Sequence, residues 1–443
     1  MKLDTKQTVK VGFAFLSICA FWQMYNSVIP LMLTNTFHLN ESISGVIMAA
    51  DNVLALFLLP LFGGLSDRCR LKMGKRKPFI LFGTLAAVVF MLLLPVMDNL
   101  FFTGKSVVTE ILFIVILGCL LVAMGTYRSP AVALMPDVTP KPLRSRGNAV
   151  INLMGAVGGV LALLVASVMY STSRTAGKEH VDYFPLFAVV AGIMLVSLFV
   201  VVFLVDEVGL NHKMLAYEEA HPEDNLMEQD EKGEEVVPKE VKKSLTFLLV
   251  SIALWFMGYN AVETWFTTYA NHMWNMSLGS ASTCMTVATG GAILSYIPSG
   301  YVASKIGRRK TIMSGVLLLA SCFFGAFLYT CAYDTFRWPL YILFLLLGVA
   351  WAFINVNSLP MVLEMCKGSD VGKFTGLYYT FSMTAQIVTP ILAGTLLNRV
   401  GYKVLFPYCA LFVAGSFVTM FFVKHGDNKV EAKRGLEAFD VDD

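Results

Sequence analysis

Apolar residues along this chain come in long unbroken runs. Residues 79–96 and 111–127 carry no charge at all. Neither run alternates as a half-buried strand would, and roughly 18 or more apolar residues in a row can reach across a bilayer. Backbone in lipid must satisfy its own polar groups, so such runs are helices. The pattern predicts twelve spans, at about 11–35, 42–65, 78–97, 108–136, 146–170, 184–205, 244–271, 279–303, 311–332, 338–363, 373–397 and 403–424. The first apolar run, 11–33, is too long for the core of a cleavable signal and is read as helix 1. Composition agrees: 56% of residues are hydrophobic and 15% charged, with a mean hydropathy of +0.66. A soluble domain carries about 25% charged residues.

The net charge of +3 says little about partners, but its placement says much. With the N-terminus in the cytoplasm, about 27 of the 34 Lys and Arg residues fall on the cytoplasmic side and about six outside, with Arg128 inside a span. The opposite orientation would reverse the positive-inside bias. The expectation is a multi-pass protein of the cell (inner) membrane with both termini cytoplasmic.

The connection 206–243 is strongly charged, with acid pairs at Glu218-Glu219, Glu223-Asp224 and Glu234-Glu235, and is read as a solvated linker. It separates an N-terminal bundle (1–205) from a C-terminal bundle (244–424), which a tail (425–443) follows. The halves repeat. Helix 2 ends in Gly63-Gly64-Leu65-Ser66-Asp67-Arg68, followed by Gly74-Lys75-Arg76-Lys77. Helix 8 ends in Gly300-Tyr301-Val302-Ala303-Ser304-Lys305, followed by Gly307-Arg308-Arg309-Lys310. Asp137 stands nine residues before Arg146 and Glu364 nine before Lys373. The fold expected is an all-α membrane protein of twelve transmembrane helices in two pseudo-repeated six-helix bundles. Proteins so built hold their ligand near mid-membrane between the repeats.

Charges inside spans are costly and usually face a cavity. Asp51 lies near the middle of helix 2, Arg128 in helix 4 and Glu263 in helix 7. Arg128 is about 13 Å of helical rise from Asp137. No histidine falls in a span core, so any proton carried there must sit on a carboxylate. Burial disfavours a charged carboxylate and a nearby guanidinium favours it, so Asp51 beside Arg128 could exchange a proton. Aromatic and amide residues share faces: Trp22, Tyr25 and Asn26 with Gln23 adjacent on helix 1, and Asn52 beside Asp51 on helix 2. Helix 7 carries Trp255, Tyr259, Glu263 and Phe266 in a stripe with Asn260 adjacent; helix 10 carries Trp351, Asn355 and Ser358. Rings stack on the CH faces of a sugar while amides bond its hydroxyls. The same stripes also suit plain helix packing.

The segment 63–77 is the most specific signal. Its glycines allow close helix approach, and Asp67 beside Arg68, Arg70, Lys72, Lys75, Arg76 and Lys77 could build a charged latch at a helix end. The alternative is a signal for topology alone. Gly63-x-Leu65-Ser66-Asp67-Arg68 with Gly74-Lys75-Arg76-Lys77 resembles the loop 2–3 signature of the major facilitator superfamily. The longer spacing, with Cys69-Arg70-Leu71-Lys72-Met73 intervening and Pro78-Phe79 following, resembles the glycoside–cation symporters and especially the sucrose–proton symporter branch. Arg128-Ser129-Pro130-Ala131, with Leu134 and Asp137, resembles that branch's helix 4. The sharp motifs cover helices 2 to 5. Ser304 stands where the second loop would carry an acid, so a latch there must be weaker or differently built. Asn26 departs from the acid that many melibiose-type symporters carry on helix 1, against a sodium site.

These observations lead to a proton-coupled symporter for a sugar or glycoside, working by alternating access. Coupling falls to Asp51, Arg128 and Glu263, binding to Trp22, Gln23, Tyr25, Asn26, Asn52, Tyr259, Asn260, Trp351 and Asn355. Gating falls to Gly63, Asp67, Arg68, Gly74, Arg76, Asp137, Arg146, Gly307, Arg308, Glu364 and Lys373. A sodium-coupled glycoside symporter, a drug–proton antiporter and a nontransporting solute receptor are alternatives. No HExxH, GxSxG or phosphate-cradling loop suggests an enzyme. The eight cysteines form no CxxC pair and suggest neither metal site nor disulfide framework. No cofactor is expected beyond the transported proton, with sodium as the alternative ion. The partners expected are a small polar solute and the lipid bilayer, with no nucleic acid and a monomeric chain.

Overall fold

Each long apolar run closes into a helix whose ends carry recognisable stop signals. A computed structural model describes residues 4–140, 143–220, 238–365 and 371–427. The acid pairs Glu223-Asp224 and Glu234-Glu235 of the linker, and 428–443 of the tail, lie outside the described residues. Twelve long helices follow one another among them: α1 (Thr5–Leu31), α2 (Glu41–Asp67), α3 (Lys77–Gly104), α4 (Val107–Val138), α5 (Arg144–Met169), α6 (Phe184–Leu204), α7 (Lys239–Trp274), α8 (Leu278–Ile306), α9 (Arg308–Ala332), α10 (Pro339–Leu363), α11 (Val371–Val400) and α12 (Leu405–Met420). A shorter helix, Glu207–Ala220, opens the connection after α6.

Proline in the first turn starts α3, α6 and α10, where its missing N–H is no loss. Lys105 and Asn275 end α3 and α7 in the left-handed conformation. Pro30, inside α1, has no N–H to give, and the helix widens into a π turn at Met32–Thr36 just beyond it. Phe57, Phe82, Phe203 and Leu411 point outward and exposed, as lipid-facing side chains do.

Among the described residues, eleven helices are long and apolar enough to cross a membrane. The twelfth, α8, has the length, 29 residues. Its Ser280, Ser282, Thr283, Thr286 and Thr289 make it more polar than the others. Its place in the repeat marks it as the counterpart of α2.

The chain forms two compact units. One comprises the described parts of Met1–Asn40, Ala50–Pro222 and Ser277–Ser282, the other those of Glu41–Ala49, Glu223–Met276 and Thr283–Asp443. In the first, the main packing partners are α1 with α5, α3 with α4, and α6 with both α1 and α3. In the second they are α7 with α11, α9 with α10, and α12 with both α7 and α9. These are the same four pairings shifted by six helices. The duplication read from two loop motifs is therefore a duplication of architecture. α2 and α8 pack more lightly than the rest, and α2 is the least buried of the eleven apolar spans.

Candidate functional site

In the first unit, α1, α2 and α4 bring one acid, one base and a pair of aromatics together. Asp51 is half-buried in α2. Its Oδ1 accepts the Asn52 backbone N–H at 2.6 Å and Asn52 Nδ2 at 2.9 Å. Arg128, half-buried in α4, lies close enough to act on Asp51 electrostatically. The Arg128 guanidinium also sits over the Trp22 ring, 5.7 Å from its centroid, within cation–π range. Tyr25 packs edge-on to Trp22 with ring centroids 5.3 Å apart, and its hydroxyl feels the Asp51 charge.

Two polar atoms here lack a partner. Trp22 Nε1 and Tyr25 Oη are buried with no hydrogen bond. Such groups are costly to leave unmade, and a donor held ready in a cluster of charge and aromatic surface suits a hydroxylated ligand. Gln23 and Asn26 are half-buried on the same helix. The helix that carries them is otherwise a core element, with Phe21, Met24 and Val28 buried.

In the second unit, Tyr259 of α7 and Trp351 of α10 stack face to face, 3.7 Å apart and 8° from parallel. Phe256 meets Trp351 edge-on at 5.4 Å. The two rings expected to offer platforms thus cover one face of each other. Asn260 is buried with Nδ2 unpaired. Asn355 is also buried, and Glu263 is half-buried on α7. Trp255 is fully buried and belongs to the core of the unit.

The loop residues form a charged junction within each unit. Arg76, with a side chain 5% exposed, donates from Nε to Asp137 Oδ2 at 2.6 Å. It also pairs with Asp67 and reaches Ser66 Oγ and the Gly63 carbonyl. Lys75 Nζ joins Asp137 at 3.1 Å. Burial of Arg76 opposes its charge, but Asp137 and Asp67 outweigh that and hold its pKa above the ordinary arginine value. The network ties α2, α3 and α4 of one unit. Arg68 and Arg146 are exposed. In the second unit Arg308 pairs with Glu364, while Ser304 Oγ donates to the Tyr301 carbonyl. The second junction is thus differently built, as the missing acid implied. Lys373 is exposed at the start of α11.

Sequence reasoning missed a second layer. Glu207, 3% exposed, accepts the backbone N–H groups of Lys75, Arg76 and Lys77 at 2.7, 2.9 and 3.1 Å. It therefore caps the positive end of α3. Asp427 accepts from Arg309 N at 3.1 Å at the start of α9. Gly74 (φ 109°) and Gly307 (φ 91°) precede the two capped helices. The signal was an acid just past the sixth helix of each half, visible only when the halves are superposed.

A family model for the Major Facilitator Superfamily matches residues 11–275 and 270–441. The chain belongs to the Major Facilitator Superfamily. That family is one of membrane transporters, not of enzymes. This superfamily member is 27% identical over 197 residues to the uncharacterized protein YqgE of Bacillus subtilis (strain 168), covering 43% of this chain and 44% of that one. It is 27% identical over 138 residues to a sucrose transport protein of Arabidopsis thaliana, covering 28% and 23%. The matched stretches span less than half the length of either relative. Among solved structures it is similar to the xylose transporter XylE from E. coli, with TM-score 0.67 at 13% identity over 95% of this chain and 97% of that one. It is also similar to a bacterial homologue of the iron transporter ferroportin, with TM-score 0.69 at 12% identity over 95% and 99%. At such identities the likeness is one of fold.

Proposed function

We propose that this transporter is a proton-coupled symporter for a sugar or glycoside, working by alternating access. The observation that carries the proposal is Arg128 set over the Trp22 ring within electrostatic reach of Asp51, with Trp22 and Tyr25 presenting unpaired polar atoms to the same cluster. An ionised Asp51 engages the Arg128 charge. A proton on Asp51 removes that attraction and frees the guanidinium fork for a pair of solute hydroxyls. Trp22 then offers a ring face and an indole N–H, and Tyr25 a hydroxyl. Binding of proton and solute is linked because the proton releases the arginine that the solute then engages. Similarity to sucrose transport proteins of Arabidopsis and rice supports the sugar class.

A thermal-shift screen of sugars and glycosides on the purified protein names the ligand, since a ligand of the native state stabilises it. Uptake of that ligand into proteoliposomes is then measured under an imposed pH gradient and, separately, a sodium gradient at fixed pH. Uphill uptake driven by the pH gradient alone is expected. Uptake driven by sodium alone would replace the proton with sodium. Stabilisation without uptake under any gradient would make the protein a receptor.

A further inference from the structure

Asp98, in the last two turns of α3, is completely buried, and neither carboxylate oxygen makes a well-formed hydrogen bond. Burying an acid this way is costly unless a charge or proton compensates it. It lies at the end of α3 away from Lys77, the membrane face opposite the N-terminus. His180, in the segment before α6, places Nε2 3.4 Å from Asp98 Oδ2. Its ring lies flat on Phe102, centroids 4.4 Å apart and 11° from parallel. Nε2 also stands 2.7 Å from Asn99 Oδ1. Asn99 Nδ2 donates to Asp182 Oδ1 at 2.8 Å, which turns the amide oxygen toward the ring, so Nε2 carries a hydrogen. The His180 side chain is 15% exposed and Asp98 0%. The imidazole is the member in touch with water.

Other groups around the pair are accounted for. Thr36 of the π turn and Asp182 act on Asp98, as Asp98 does on Tyr183. On the α4 side, Phe113 packs on Phe37, the residue that follows the π turn. Arg174 and Lys178 line a cavity of about 230 Å³ with Tyr170 and Asp182, and neither pairs with Asp98. Asp182 is tied down by accepting from Phe184 N, and its carbonyl from the Tyr170 hydroxyl, both at 2.9 Å. Burial lowers the His180 pKa, with Asp182 pulling the other way, so the ring is neutral over much of the physiological range.

We propose that Asp98 and His180 form a second proton-binding site, separate from Asp51, which takes protons from the water on the face opposite the N-terminus and holds the 176–183 segment against α3 when occupied. With Asp98 ionised, the imidazole takes a proton at Nδ1 and gives the one on Nε2 to Asp98 Oδ2. The ring is neutral but bare at Nε2; exchange with water then restores the Nε2–H that Asn99 Oδ1 accepts, and the net change is one proton bound from water. Loss of that proton leaves a buried carboxylate facing Asp182, and the segment loosens to let water reach it.

The test is hydrogen–deuterium exchange of 176–183 in the full-length purified protein across pH, corrected for intrinsic exchange, with infrared spectroscopy of protonated carboxyl groups. Protection should fall several-fold as pH rises, and an infrared carboxyl band should vanish over the same range. Asp98→Asn, permanently neutral, should lose the band and stay protected at all pH. His180→Gln should lose the pH step, and decides the matter if Asp98→Asn does not fold. Asp51→Asn should keep the step, so this site and the coupling role of Asp51 fail separately. A wild-type protein with no step, a step unchanged in folded Asp98→Asn or His180→Gln, or a step abolished instead by Asp182→Asn would overturn the proposal.

Discussion

The Glu207 carboxylate fills the space that a side chain at Gly74 would occupy: a Cβ added there would lie 2.4 Å from Glu207 Cδ. Asp427 stands in the same relation to Gly307, with Oδ1 2.5 Å from an added Cβ. Both glycines have positive φ, so the loop bends back while the acid caps the helix that follows. Gly74→Ala should cost about 1–3 kcal/mol from backbone strain alone, and more if the cap is displaced. Gly64, with nothing within 4 Å of an added Cβ, is the control. Thermal melts in detergent should show a lowered Tm for Gly74→Ala and little change for Gly64→Ala. Equal melts for the two would remove Gly74 and Glu207 from the stability of the loop.

The two acids on Arg76 should not be equivalent. The Asp137 side chain is 19% exposed and that of Asp67 58%. Asp137→Asn leaves a buried guanidinium short of its main counter-charge and should cost about 3 kcal/mol. Asp67→Asn removes a pair that water already screens and should cost about 1 kcal/mol or less. Chemical denaturation of the two variants orders them. A larger loss at Asp67 would mean that it has a role beyond holding Arg76.

Much of the fold is legible in the sequence because the bilayer imposes one solution. The length and apolar character of the runs locate all twelve helices, even α8, whose serines and threonines weaken its apolar signal. The first charged junction is legible too, since Asp67, Arg76 and Asp137 stand near helix ends in a recognisable spacing. Its partners are less so. Asp137 looks paired with Arg146 along the chain, but Arg76 and Lys75 reach it through space. Tyr259 and Trp351 read as two ligand platforms, yet they stack on each other, a contact between helices that no local pattern encodes. Glu207 hides in a charged connection that reads as linker, because a cap is defined by the three N–H groups it meets and not by its neighbours in sequence.

Arg128→Lys should impair solute binding at least tenfold, although the charge is kept. The guanidinium serves Asp51, the Trp22 ring and, under the proposed function, a pair of hydroxyls, through a planar fork that an ammonium cannot reproduce. Calorimetric titration with the identified ligand measures this. Affinity at the wild-type level in the lysine variant would show that only charge matters at residue 128.

Proton movement driven by the solute tests the central claim most directly. Proteoliposomes without a membrane potential are given the identified solute on the outside, and external pH is followed. The wild-type protein should turn the medium alkaline as proton and solute enter together. Asp51→Asn should give no pH change while still exchanging labelled for unlabelled solute across the membrane, because the neutral amide mimics the protonated acid. Alkalinisation of normal size by Asp51→Asn would contradict the assignment of coupling to Asp51, and none by an actively transporting wild-type protein would contradict proton symport itself.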